Sequence, residues 1–366
     1  MAITVDAAVT ALDKVIAPDL DRPLTETDRI RKLEVNEDVV SIQIEITSPF
    51  REPLASNVRA ALEAAGAKEI KITWDLQVPP RVIQEDDPSP RVKNIVLVMS
   101  GKGGVGKSTV ASNLTLALSR AGAKVGILDA DMYGPSVPTM FGVMGRPTSA
   151  DGQRFLPLER FGVKLMSIGF LIEDARSAVV WRGPMLQNAL MQFMRDVDWG
   201  DLDYLILDLP PGTGDIALTI SQKLRTTGAV IVTTPQEVAL QDVYKSVSMA
   251  QKVGIPLLGV VENESYFVCD GCSKRHEIFG SGGGQRIAEF AEAPLLGQIP
   301  IVPAVREWGD AGTPIVQAAP ESDVAKAFNQ VAERLASQVS ALGLSSAGGL
   351  RIDRSGGVNR RLPIMR

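Results

Sequence analysis

The segment Gly101-Lys102-Gly103-Gly104-Val105-Gly106-Lys107-Ser108-Thr109 fits the spacing G-x-x-x-x-G-K-[ST], and it stands between an apolar run, Ile95 to Ser100, and a helical pattern, Val110 to Ala121. A strand, a glycine-rich turn and a helix in that order leave few folds open. Glycines let the backbone curl so that successive N–H groups face one point, and the N-terminus of the following helix adds its dipole. Lys107 supplies a cation for the β and γ oxygens of a bound phosphate chain, and Ser108 offers a hydroxyl to Mg²⁺. The bare alternative is a glycine turn that only joins strand to helix; spacing and context both argue against it.

Strand and helix patterns continue to alternate beyond that turn. Apolar runs at Ile95 to Ser100, Lys124 to Asp129, Val163 to Gly169, Tyr204 to Asp208, Ala229 to Thr233, Pro256 to Glu262 and Pro294 to Ile299 are mostly separated by helical patterns. These fall at Val110 to Ala121, Pro184 to Asp196, Ile216 to Leu224, Val238 to Val253 and Gly284 to Ala291, and a closing amphipathic helix is expected over Asp323 to Leu342. Unbroken apolar strands bounded by helices predict an α/β fold, a mainly parallel sheet covered by helices on both faces. Ligands of such sheets bind beyond the carboxyl ends of the strands.

Ahead of this domain the pattern differs. A helix over Val5 to Ile16, the alternating Val39 to Thr47, a helix over Leu54 to Ala65 and a strand over Glu69 to Trp74 predict a small α+β domain in residues 1–80. The proline-rich, charged residues 81–93 read as an exposed linker, 94–344 as the main domain, and 345–366, with five arginines and two Gly-Gly pairs, as a flexible basic tail. A length of 366 residues has room for about two or three domains. With 38 Lys+Arg against 43 Asp+Glu, the net charge of −5 creates no global positive field, which disfavours a nucleic-acid partner. Apolar runs such as Ile255 to Val261 fall short of the ~18 residues of a membrane span. The opening MAITVDAAVTALDKV lacks a basic start and carries Asp6, so no secretory signal is read and a cytoplasmic site is expected.

Two further loops bring carboxylates to the strand ends, Asp129-Ala130-Asp131-Met132-Tyr133-Gly134-Pro135-Ser136 and Leu207-Asp208-Leu209-Pro210-Pro211-Gly212-Thr213-Gly214-Asp215. Asp208, closing an apolar strand, suits holding Mg²⁺ through its water, and the Pro and Gly beyond it form a loop able to sense a γ-phosphate. The alternative for Asp208, and more so for Asp129, is a strand-terminal carboxylate that caps the next helix. The chain's two cysteines, Cys269 and Cys272, form C-x-x-C. In a reducing compartment that spacing suggests metal or redox chemistry. One chain cannot complete a tetrathiolate site, whereas two copies bring four thiolates, enough for a [4Fe–4S] cluster or a tetrahedral Zn²⁺. A Cys₂His set with the single histidine, His276, a redox pair and two packed thiols stay open. The turn-forming Asp270-Gly271 between the cysteines disfavours the redox pair, which usually opens a helix.

Taken in order, KGGVGKST, DADMYGPS, WRGPM (Trp181 to Met185), LILDLPPGTGD, VENESYFVC-x-x-C and FGSGGG resemble the Mrp/ApbC family of P-loop ATPases that carry iron–sulfur clusters, over roughly Ile95 to Pro314. The phosphate loop itself resembles the deviant form of the MinD/ParA/nitrogenase-iron-protein group, and residues 1–80 resemble the small metal–sulfur cluster assembly domain often fused ahead of the ATPase. The resemblance implies ATP and Mg²⁺ held by the loop from Gly101 to Thr109 with Asp208, and Asn263 near the adenine. It further implies Lys102 reaching a partner subunit's nucleotide, Asp131 positioning the attacking water, and a [4Fe–4S] cluster bridged by Cys269 and Cys272 across a homodimer. The implied activity is slow ATP hydrolysis coupled to moving clusters from an assembly scaffold to apo iron–sulfur proteins. Departures from the family pattern are Ser48-Pro49 where the small domain often has Cys-Pro, Glu264 in place of a common Met, and Trp308 where a small residue is usual. The Ser48 departure makes docking the expected role of the small domain. A MinD/ParA-like positioning ATPase with a structural zinc at the C-x-x-C pair is the alternative; against it, the C-terminus runs through small residues into Gly348-Gly349 instead of a basic amphipathic helix. A nitrogenase-like reductase would share the bridging cluster and requires an electron-accepting partner.

Overall fold

A strand with no polar face is stable only between two covering layers, and Ile95–Ser100, Val125–Asp129, Tyr204–Asp208 and Gly228–Thr233 are buried along their whole length. The computed structural model describes residues 3–17, 22–131, 134–149, 152, 154–170, 183–212 and 214–346. Its contacts form two units, one running to Pro79 and resuming at Ser340, the other spanning Pro80–Val339.

The first unit contains α1 (Val5–Leu12), β1 (Ile30–Asn36), β2 (Val39–Ile46), α2 (Leu54–Ala64) and β3 (Glu69–Leu76). Its sheet runs β1-β2-β3, with β1 antiparallel and β3 parallel to the central strand. The expected alternation of β2 holds: Val40, Ile42, Ile44 and Ile46 face a core that also takes Leu12, Leu33, Val58 and Leu62. Strand β1 escaped the sequence reading for a local reason. A register shift between Ile30 and Lys32 turns Ile30 and Leu33 inward, three residues apart, so the period of two is broken. From the far end of the chain, Ser340 Oγ donates to the Thr47 carbonyl at 2.9 Å.

In chain order, the second unit contains β4 (Ile95–Ser100), α3 (Lys107–Arg120), β5 (Val125–Asp129), β6 (Leu158–Arg160), β7 (Val163–Ser167), α4 (Gly183–Asp196), β8 (Tyr204–Asp208) and α5 (Gly214–Lys223). There follow β9 (Gly228–Thr233), α6 (Glu237–Lys252), β10 (Leu257–Glu262), the short pair β11 (Phe267–Val268) and β12 (Arg275–His276), α7 (Gly283–Ala291), β13 (Leu295–Gln298), α8 (Pro303–Asp310) and α9 (Asp323–Ser346), whose residues from Ser340 onward belong to the first unit. The eight-stranded sheet has the order β6-β7-β5-β8-β4-β9-β10-β13, parallel except for β6, which pairs antiparallel with β7. All seven apolar runs read as strands lie in this sheet. Register brings Asp208 level with Asp129, Asp129 with Ser167, and Glu262 with Thr233. Polar residues that end apolar strands therefore form a buried row along the carboxyl edge.

The expected linker is not a solvated tether. Arg81 and Asp87 form an ion pair with side chains 3% and 2% exposed, and Ser89 Oγ donates to the Met194 carbonyl at 2.5 Å. Arg81 N also donates to Lys93 O at 2.8 Å, so the segment folds onto the second unit. Composition alone cannot show this, because each charge reads as solvated until its partner is placed. Of the expected tail, Ser345 and Ser346 end α9, and 347–366 lie outside the described residues, as do Met132, Tyr133, Trp181, Arg182 and Thr213. Among the described residues no helix is long and apolar enough to cross a membrane.

Candidate functional site

Strand β4 ends at Ser100, and the loop from Gly101 to Gly106 turns the chain into α3, whose first residue is Lys107. Gly106 has φ +75°, and a Cβ there would lie 2.2 Å from Asn263 Nδ2, so both conformation and space demand glycine. Asn263 follows β10. Its Nδ2 donates to the Val105 carbonyl at 2.9 Å and its backbone N–H to Thr233 O at 2.8 Å, which ties the loop to the next strand end. The family resemblance implies a place near the base for Asn263; the structure gives it this further hold on the loop.

A cavity of about 220 Å³ opens over the turn, lined among others by Lys102, Gly104, Ser108, Thr109, Asp131 and Pro211. Eight of the predicted site residues, Lys102, Gly103, Gly104, Gly106, Lys107, Ser108, Thr109 and Asp131, thus surround one space. Ser136 and Met140 also line it; Ser136 belongs to the loop motif, while nothing in the sequence marked Met140. Lys102 is half-buried there and forms no ion pair among the described residues.

Lys107 is buried at the strand edge. Its Nζ donates to Asp208 Oδ1 and lies 3.6 Å from Asp131 Oδ2 and 3.4 Å from Ser108 Oγ. Burial raises the Asp208 carboxyl above the usual carboxylate range, opposed chiefly by Lys107 and also by the nearby Ser108 hydroxyl. Asp208 Oδ2 is buried with no hydrogen-bond partner. An oxygen left unsatisfied in the interior costs free energy unless something cationic or protic meets it. Together with Ser108 Oγ it forms a hard oxygen pair that fits Mg²⁺.

Asp129 answers the capping alternative. Its Oδ2 accepts from Val137 N, the first residue of a short helix, at 3.1 Å and from Ser167 Oγ at 3.2 Å; its Oδ1 accepts from Asp131 N at 3.1 Å. One buried carboxylate therefore holds both ends of the loop that carries Asp131. Burial and the neighbouring Asp208 push Asp129 up to about 8.

The cysteines lie at the tip of the β11–β12 hairpin, where Phe267 pairs with His276 and Val268 with Arg275. Cys269 N donates to Lys274 O at 3.0 Å and Ser273 N to Cys269 O at 2.7 Å. Cys272 is exposed and Cys269 half-buried. Backbone N–H groups of Gly271 and Cys272, with the Cys272 side chain, lower the Cys269 thiol below its ordinary range and favour the thiolate that ligates soft metals. His276 sits back along the opposite strand, and among the described residues no three His, Cys, Asp or Glu side chains gather around a point. The Cys₂His set is not assembled within one chain, leaving two thiols displayed outward.

Residues 91–336 match the family model described as NUBPL iron-transfer P-loop NTPase, and residues 6–72 that of the iron-sulfur cluster assembly protein. The chain is 45% identical over 345 residues to an iron-sulfur cluster carrier protein of Deinococcus radiodurans, covering 93% of this chain and 97% of that one. With the protein of the same name from Escherichia coli K12 the identity is 45%, over 88% and 89% of the two chains. Among solved structures, the nucleotide-binding protein of Archaeoglobus fulgidus in complex with ADP aligns with TM-score 0.56 and 39% identity, over 65% of this chain and 93% of its own. The cell division ATPase MinD of Pyrococcus furiosus aligns with TM-score 0.50 and 28% identity, over 66% and 98%. With its phosphate loop, buried lysine–aspartate pair and outward cysteine hairpin carried by one mainly parallel sheet, the chain belongs to the NUBPL iron-transfer P-loop NTPase family.

Proposed function

We propose that this protein is a cytoplasmic, ATP-dependent carrier that binds a [4Fe–4S] cluster between two copies of the chain and delivers it to apo iron–sulfur proteins. The observation that carries the reading is the exposed hairpin, which displays two thiols, one of them favoured as thiolate, and offers no third ligand of its own. A second chain supplies the other two. The curated relatives' printed names support the cargo, and residues 6–72 support an N-terminal unit that docks the donor scaffold or the recipient.

ATP is the substrate of the phosphate loop. Backbone N–H groups from Gly101 to Gly106 and the N-terminus of α3 receive its phosphates, Lys107 exchanges its carboxylate partners for phosphate oxygens, and Thr109 closes the cradle. Ser108 and Asp208 hold Mg²⁺, which neutralises phosphate charge when bound. Asp131, displaced from Lys107, orients the attacking water, and Lys102 crosses to the partner's nucleotide. Asn263 reports on the base. No arginine lines the cavity among the described residues, so hydrolysis is slow and serves as a reset. The expected test is transfer from anaerobically loaded carrier to an apo-ferredoxin. Transfer responds to ATP in the wild type and loses that response in Lys107→Ala; equal ATP-dependent transfer by both proteins refutes nucleotide gating.

A further inference from the structure

We infer that Glu262 is a positioning residue that joins the phosphate loop to the cysteine hairpin. This rests on the reading above that nucleotide and thiolates act together, and it names the side chain through which they are held.

Glu262 ends β10 with no solvent exposure. Its Oε1 accepts from Ser265 Oγ at 2.5 Å and from Gln298 Nε2 at 2.7 Å, and its Oε2 accepts from Gly284 N. Gly284 lies in the first turn of α7, where backbone N–H groups lack intrahelical acceptors and the dipole favours an anion. A buried carboxylate with three donors is a satisfied one. The approach is close: a Cβ on Gly284 would stand 2.7 Å from Glu262 Cβ and 3.1 Å from Oε2. That contact explains the last glycine of FGSGGG, a motif to which neither phosphate nor metal chemistry assigns a role.

On either side of this anchor the backbone is pinned. Toward the nucleotide cavity, Asn263 Nδ2 holds Val105 O at 2.9 Å and Asn263 N holds Thr233 O at 2.8 Å. Toward the cysteines, Ser265 N donates to Ile299 O at 2.9 Å, Ile301 N to Tyr266 O at 2.7 Å, and Cys269 N to Lys274 O at 3.0 Å. Phe267 and Val268 lie in the hairpin pairing between these points. Five residues thus separate the phosphate-loop contact from the first thiol, and Glu262 braces that stretch against α7 and β13. Glu262 itself touches neither cavity nor cysteine. An amide in its place sets a donor against either Ser265 and Gln298 or the α7 N-terminus, which loosens the anchor that the loop contact and the hairpin share.

The test uses the full chain, Glu262→Gln, and Gly284→Ala, which forces the same contact apart while leaving the carboxylate in place. Hydrogen exchange is followed over residues 101–109, 263–276 and, as a reference, 204–208, and cysteine alkylation is measured with and without Mg-ATP. Loss of a charge-assisted bond should speed exchange about tenfold in both the loop and the hairpin, with 204–208 unchanged. The effect of ATP on alkylation should shrink in both variants. Unchanged hairpin exchange in the folded variants overturns the assignment, and so does uniform acceleration that includes 204–208, the signature of a merely structural role. If wild-type alkylation ignores ATP, the gating reading falls, while the exchange comparison still decides the role of Glu262.

Discussion

Lys107→Ala should do more than abolish ATP binding: it should destabilise the nucleotide-free protein. The ammonium contacts Asp208, whose side chain is fully buried, and stands 3.6 Å from Asp131. At that separation a pair is worth about 4–5 kcal/mol at an effective dielectric of ~20 before desolvation is counted. Deleting the cation leaves the Asp208 charge buried without a partner, and one-sided loss of this kind costs about 3–5 kcal/mol. Burial already raises the Asp208 carboxyl, and without Lys107 it rises further. The folded variant then retains a proton that the unfolded chain releases near pH ~4. The deficit is therefore complete above the raised folded value and shrinks as pH falls toward ~4. Lys107→Ala/Asp208→Asn carries no orphaned charge and should be more stable than Lys107→Ala alone. Urea unfolding at pH 5.5 and 8, with the two units fitted as separate transitions, measures all three quantities. A Lys107→Ala protein within ~1 kcal/mol of wild type at pH 8, or a double variant less stable than Lys107→Ala alone, would mean that Lys107 does not offset the buried Asp208 charge.

Because Asp129 is raised to about 8, the folded state binds a proton that the unfolded chain releases near pH ~4. Its contribution to the stability of the nucleotide-free protein therefore falls as pH rises from ~4 to about 8, and Asp129→Asn should flatten the dependence of Tm on pH; an unaltered slope would count against the assignment. Gly106→Ala meets both a φ of +75° and Asn263 Nδ2 at 2.2 Å, so it should cost about 1–3 kcal/mol and weaken ATP binding at least ~tenfold by titration calorimetry. Normal affinity would show that the loop is not held as described. Arg81→Ala should lower the stability of the second unit by about 3 kcal/mol, since Asp87 stays buried, whereas a solvated tether would tolerate the change.

The main domain was readable because its strands are buried on both faces. Continuous apolar runs closed by Asp129, Asp208 and Glu262 announce both the strand and its end, and the phosphate motif adds the turn. What escaped was short or depended on a partner distant in sequence. The two-residue strands Phe267–Val268 and Arg275–His276 carry no periodic signal, so the hairpin that lifts the cysteines outward was seen only as a turn. Strand Leu158–Arg160 lies at the sheet edge, half exposed and only three residues long. The Arg81–Asp87 pair looks like ordinary surface charge until burial is known. Glu262 lies within VENESYFVC, yet the role inferred for it depends on Gly284, 22 residues later. Asp129 reads as a cap from its place at a strand end, and the structure adds that the same carboxylate fixes the loop carrying Asp131.

The proposed carrier needs two chains, each bringing Cys269 and Cys272, to enclose one cluster. Native mass spectrometry of the anaerobically reconstituted full chain decides this. Two chains carrying four iron and four sulfide, reduced to metal-free protein by Cys269→Ala, are the expected result; a single chain retaining its own cluster, or a zinc ion bound with no sulfide, would contradict it.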